Sequence, residues 1–180
     1  LLASAIQMKS SVTVIAPDRR GYGKNEDRGN LGSVENAIED VIEHILYFKR
    51  FFKRIHLAGW GQGCQHAAIT AVRLCNEISS LFFLAPGFFW NERYWSVINT
   101  MEKIVLKMIS EFDLAPDRNH SFIPIPMENT DFTSNENWLD FIEKDELKTS
   151  MVSMRSACII DEIQEMSLKA LCIINQPLLL

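Results

Sequence analysis

The feature that most constrains this chain is an alternation of short apolar runs with stretches of helical period. "SVTVIAPD" (Ser11 to Asp18) is β-branched and closed by Pro17 and Asp18, as expected for a strand buried on both faces. From Val34 the apolar positions Ala37, Ile38, Val41, Ile42, Ile45 and Leu46 recur at spacings of three and four, the stripe of an amphipathic helix. Ser33 is placed to cap that helix, Glu35 lies in its first turn, and the basic "KRFFKR" ends it. "IHLAGW" is a second strand, Gln62 to Ile78 a second helix, and "SLFFLAPGF" (Ser80 to Phe88) a third strand. Strand, helix, strand, helix, strand at this spacing predicts βαβ units and a parallel sheet, an α/β fold.

Beyond Phe88 the pattern changes. Helices are expected over 93–112, 137–147 and 150–166, with an irregular, proline-rich stretch over 115–137. "ALCIINQPLLL" then returns to a strand, near 177–180. The expected organisation is a core over 1–88, a helical cap over 89–168 and a return to the core over 169–180. The chain starts without Met in "LLASAIQ", the end of a helix, and stops in an apolar strand, so it is expected to be a portion of a longer polypeptide.

With 180 residues, 47% hydrophobic and 23% charged, the chain can bury a core of ordinary size. A net charge of -5 and no basic block argue against a nucleic-acid partner. No apolar run reaches the roughly 20 residues of a membrane span, and no signal peptide is visible. Cys64, Cys75, Cys158 and Cys172 have no paired spacing. They are expected to be reduced thiols of a cytoplasmic protein, neither disulfides nor a zinc site.

Three motifs bear on function. "GWGQG" (Gly59 to Gly63) lies between a strand and a helix, where G-x-S-x-G makes a strained turn that lifts a serine above the sheet. Here the central position is Gly61, which keeps the turn and cannot attack a carbonyl, while the Gln62 amide stands where an oxyanion donor would. An ordinary glycine-rich turn is the competing reading. "PDRRGYGKN" (Pro17 to Asn25) resembles the P-D-x-R-G-x-G-x-S loop after the fourth strand of α/β-hydrolases. Asp18, Arg20, Gly21 and Gly23 match, and Asn25 replaces the small hydroxyl residue. Asp18 and Arg20 are expected to bond loop backbone. In "FIPIPMENTDFTSNENWLDFIEKDEL", Phe132, Thr133, Phe141, Ile142, Asp145 and Leu147 are similar to the cap pattern of monoacylglycerol-lipase-like and lysophospholipase-like hydrolases, with Glu146 where proline is common.

Together these cover most of the chain in the right order, and the resemblance is to the α/β-hydrolase superfamily, on its serine esterase and lipase side. It implies a three-layer sandwich with a mostly parallel sheet and a helical cap insertion. It also implies hydrolysis of carboxylic esters or acyl lipids with no metal or organic cofactor. The catalytic acid and histidine would lie beyond Leu180, so none of His44, His56, His66 and His120 is assigned as base. Trp60, Phe88 and Phe89 are candidate contacts for an apolar acyl group, with core packing the competing role. Cys64 as a substitute nucleophile, Glu92 as the acid and the Asn119-His120-Ser121 sequon each have a blander reading that is preferred. The function expected is that of a hydrolase-type protein inactive for want of its serine. The alternatives are a binding or regulatory protein reusing the pocket, and a different enzyme on the same frame with water or a cofactor as the reactant.

Overall fold

The computed structural model describes residues 2–89, 122–125 and 127–180. After α1 (Leu2–Lys9) come α2 (Val34–Lys49), β1 (His56–Trp60), α3 (Gly63–Arg73) and β2 (Ser80–Leu84). Then follow β3 (Phe122–Pro124), a 3-10 turn (Asn129–Asp131), α4 (Glu136–Glu143), β4 (Met151–Ser153), α5 (Met154–Leu171) and β5 (Leu178–Leu179). The main sheet is parallel in the order β1-β2-β5, with His56 opposite Ser80, Trp60 opposite Leu84 and Leu81 opposite Leu178. β3 and β4 form a separate antiparallel pair.

α2 begins as the sequence requires: Ser33 is its N-cap, and its side chain accepts from the Asn36 N–H at 3.1 Å. Ala37, Ile38, Ile42 and Ile45 are its buried stripe. α3 differs, being buried at every position from Cys64 to Ala71. Its small residues Ala67, Ala68 and Ala71 let α2, α5 and the sheet approach it, so it is the centre of the molecule. Phe83 and Leu81 of β2 and Ile163 of α5 are the other fully buried apolar groups. Each such side chain contributes roughly 1.5–3 kcal/mol by leaving water.

Several expectations need correction. Residues 12–17 form no strand and pair with nothing among the described residues; Val12 and Ile15 are 51% and 43% exposed. β-branched composition favours a strand only where a neighbouring strand accepts its hydrogen bonds, and none lies beside this segment. β1 is the end strand of its sheet, so its other edge is likewise unpaired among the described residues. The second helix stops at Arg73, well before Ile78, where Leu74 leaves helical geometry (φ -114°, ψ 46°). The helix expected over 150–166 is split: 151–153 pairs with 122–124, and helix then runs to Leu171. Ser153 caps that helix by accepting from the Ser156 N–H at 3.1 Å, so chain direction changes there. The final strand, expected near 177–180, lies at Leu178–Leu179 and pairs in parallel with β2, while α5 runs on to Leu171. The helix expected over 93–112 lies outside the described residues.

Candidate active site

β1 and α3 are joined by a turn two residues long, with Gly61 at its tip and Gln62 as the N-cap of α3. Gly61 has φ +54°, a left-handed conformation that L residues avoid. Its N–H donates to Leu84 O at 3.0 Å, and its carbonyl accepts from the Cys64 N–H and the Gly87 N–H, both at 3.1 Å. The turn is thus tied at once to its own helix and to the loop that follows β2. A Cβ added at Gly61 would meet nothing within 4 Å. Gly59 is the opposite case: a Cβ there would lie 2.6 Å from Cys64 Cα, Cys64 N and Gly63 C, so only glycine lets β1 pass this close to the first turn of α3. The third glycine, Gly63, opens α3 beside empty space.

Gln62 makes no side-chain cap, and its N–H donates no hydrogen bond among the described residues. Cys64 is fully buried, its Sγ 3.7 Å from Leu84 O, and burial pushes its thiol pKa up. A buried thiol directed at the sheet is not a nucleophile for a ligand at the turn. Gln65 braces the same region, donating from Nε2 to Gly87 O at 2.5 Å. Gln164 of α5 donates to Phe88 O at 2.9 Å.

The loop after residue 17 is internally bonded. Asp18 Oδ2 accepts from the Lys24 N–H at 3.1 Å. Asn25, standing in for the hydroxyl residue, directs its Nδ2 at the carbonyls of Asp18, Arg19 and Tyr22 at 3.0, 2.8 and 3.2 Å. Gly21 and Gly23 both lie at positive φ. Arg20 does not bond loop backbone as expected. It forms a two-point pair with Asp40 of α2 at 2.9 and 2.8 Å, because the turn points it outward across the helix. Arg19 is the residue that turns inward: its Nη2 donates to Gln62 Oε1 at 3.3 Å, and its Nη1 lies 3.2 and 3.3 Å from the two ring nitrogens of His66. Burial, and then the Arg19 charge, lower the His66 pKa from 6.5 to about 4, so the ring is neutral. Sequence reasoning passed over Arg19 and His66. The available signal was the i, i+4 spacing of Gln62 and His66, which puts two polar groups on one face of an otherwise alanine-rich helix.

Of the candidate acyl contacts, Trp60 and Phe89 are 69% and 78% exposed, whereas Phe88 is buried against Phe83, ring centroids 5.4 Å apart. Glu92 and the sequon lie outside the described residues. A groove of about 1100 Å³ runs between residues 11–21, α2 and β1. Arg19 and His66 line it; Gly61 and Gln62 do not. Among the described residues no three His, Cys, Asp or Glu side chains converge as a metal site, and no helix is long and apolar enough to cross a membrane.

The parallel sheet, with a left-handed tip at its first βα turn held against the loop after the next strand, has the fold seen in α/β-hydrolases of known structure. Two solved structures share that fold. The monoacylglycerol lipase of Paleococcus ferrophilus superimposes over 88% of this chain with a TM-score of 0.71 at 14% identity. A soluble variant of the monoglyceride lipase of Saccharomyces cerevisiae, solved with a substrate analog, superimposes over 84% with a TM-score of 0.64 at 17% identity. The chain spans 57% and 49% of the length of those two proteins. No family model matches the sequence, and no curated protein is similar to it at the sequence level.

Proposed function

We propose that this chain is the elbow-bearing portion of a carboxylic-ester hydrolase scaffold whose nucleophile position is Gly61, and that it does not turn over esters as it stands. The observation that carries the reading is the backbone of Gly61: a left-handed tip, no described atom within 4 Å of an added Cβ, and a Gln62 N–H that donates to nothing among the described residues. This is the frame that presents a serine in such enzymes, with the attacking group removed. Loss of the nucleophile in a serine hydrolase costs about 10⁶ in kcat and leaves only the contribution of binding and oxyanion donors. A serine at this φ would carry about 1–3 kcal/mol of backbone strain and no steric clash.

The ligand class is an ester or acyl lipid. Trp60 ends β1 and Phe89 follows β2, so both exposed aromatics sit at the carboxyl ends of parallel strands, where α/β sheets bind ligands. The part of residues 89–168 that precedes α5 acts as a cap, since Ile159 and Ile163 of α5 belong to the core. Arg28 of the loop donates to the carbonyls of Glu146 and Lys148 at 3.0 and 2.8 Å, which docks part of that segment on the core. The acid and histidine belong to a segment following β5.

The test is an assay of the full-length polypeptide on a short p-nitrophenyl ester, as found and as Gly61→Ser. Turnover confined to the Gly61→Ser form supports the reading. Turnover with Gly61 in place, abolished by Cys64→Ala, overturns it. Inactivity of both forms together with tight binding of an acyl ligand favours a binding protein built on the same frame.

A further inference from the structure

The two arginines of "DRRG" have separate tasks. Arg20 is used up by Asp40 on the outside. Arg19 reaches the first turn of α3, and its side-chain hydrogen-bond contacts among the described residues fall on Gln62 and His66. Its guanidinium also lies over the Tyr22 ring, 4.8 Å from the centroid. The base from which it reaches is fixed. Asn25 clamps three carbonyls of the loop, including that of Arg19 itself. The Gly29 N–H donates to Gly21 O at 2.7 Å, and the far end of the loop is held by α5, where Ser156 Oγ accepts from the Leu31 N–H at 2.8 Å.

The target of this reach is Gln62. Gln62 stands at the N-cap of α3 with helical backbone angles (φ -60°, ψ -27°), and the Cys64 and Gln65 N–H groups that a cap would serve already donate to the carbonyls of Gly61 and Gln62 at 3.1 and 3.0 Å. Its side chain makes no cap, and Oε1 accepts from Arg19. The Gln62 carbonyl is held from the same direction, since His66 Nδ1 lies 3.3 Å from it. One arrangement satisfies both ends of the imidazole: Nδ1–H donates to Gln62 O and Nε2 accepts from Arg19. That arrangement requires the neutral ring.

We propose that Arg19 is a positioning residue of the elbow: through the Gln62 side chain, and through His66 on the Gln62 carbonyl, it fixes the Gln62 peptide and with it the direction of the Gln62 N–H beside Gly61. Its consequence for catalysis rests on the hydrolase reading; its structural part does not.

The structural arm uses the chain as it is. Amide proton exchange and the ¹⁵N–¹H resonances of Gln62 and Gly63 are compared in the parent, Arg19→Met, Arg19→Lys, Gln62→Ala and the Arg19→Met/Gln62→Ala pair. Arg19→Met releases the Gln62 side chain and the His66 ring, so the Gln62 and Gly63 resonances move and their amides exchange about fivefold faster, as for the loss of one hydrogen bond, while the resonances of α2 stay in place. Arg19→Lys, which keeps a cationic donor, returns part of the way to the parent. In the Gln62→Ala background the Arg19 substitution has a smaller effect, because only the route through His66 to the residue 62 carbonyl is left. Unchanged Gln62 and Gly63 amides in both Arg19 variants, or an equal effect with and without the Gln62 side chain, overturns the proposal. The kinetic arm uses full-length Gly61→Ser: Arg19→Met lowers kcat by about 10- to 100-fold, less than the loss of a whole oxyanion donor, with KM within about twofold. An inactive Gly61→Ser protein whose amides respond as described refutes the hydrolase reading and leaves the positioning role standing. An active one whose kcat ignores Arg19→Met removes its catalytic consequence.

Discussion

Gly59→Ala and Gly63→Ala place the same methyl group four residues apart on the same turn and have opposite expected signs. At Gly59 the new Cβ would sit 2.6 Å from three backbone atoms of Gly63 and Cys64, about 1 Å inside ordinary contact distance. None of these atoms belongs to a flexible side chain, so the β1–α3 junction itself must open. Cys64 is fully buried and α3 is packed all round, so the helix cannot slide without disturbing α2 and α5. Overpacking of this kind costs about 1–3 kcal/mol, and backbone against backbone belongs at or above the upper end. For a chain of this size each kcal/mol lowers Tm by roughly 2–4 °C, so Gly59→Ala should melt about 6–12 °C below the parent. At Gly63 a Cβ meets nothing, and replacing a helical glycine by alanine gains up to about 1 kcal/mol. Circular dichroism melts of the three proteins at one concentration decide the matter. Equal losses for both variants, or a neutral Gly59→Ala, would refute the close approach as the reason for glycine at 59.

His66 predicts a pH dependence. Its folded pKa of about 4 lies below the ordinary 6.5, so between those values the unfolded chain binds more protons. The stabilisation is complete above pH 6.5 and is lost as pH falls through 4, about 3 kcal/mol in all. The difference in urea midpoint between the parent and His66→Gln should therefore change across that window and stay constant above it; a constant difference throughout contradicts the neutral, Arg19-bound ring. Cysteine labelling gives a second check. Cys75 and Cys172 are exposed and should react with an aromatic disulfide within minutes, whereas Cys64 should react only in denaturant. Labelling of Cys64 in the folded chain would reopen its candidacy as a nucleophile.

Local chemistry carried much of the fold. The Ser33 cap, the stripe of α2 and the two runs that became β1 and β2 were legible because each is set by residues near in sequence. Val12 to Pro17 was misread because β-branching reports what a residue suits, not whether a partner strand stands beside it. The split at Ser153 was missed because the pairing of 151–153 with 122–124 joins segments nearly thirty residues apart. At the elbow the glycine pattern was readable, but which arginine of the pair turns inward was not. That depends on the loop glycines and on Asn25, whose three carbonyl contacts set the direction of residue 19.

The outer edge of β1 has a practical consequence. "HLAGW" carries no lysine, no proline and no bulge, the devices by which natural sheets discourage a stranger from joining. Among the described residues nothing pairs with its backbone groups on that side, which form a short open template with the indole of Trp60 exposed at one end. Two molecules of the 180-residue chain meeting edge to edge can zip there, and a partly melted molecule offers the same invitation for longer. Thermal unfolding of this polypeptide should therefore be watched by light scattering as well as by ellipticity, since a template of this kind turns a reversible transition into a precipitate that grows with concentration.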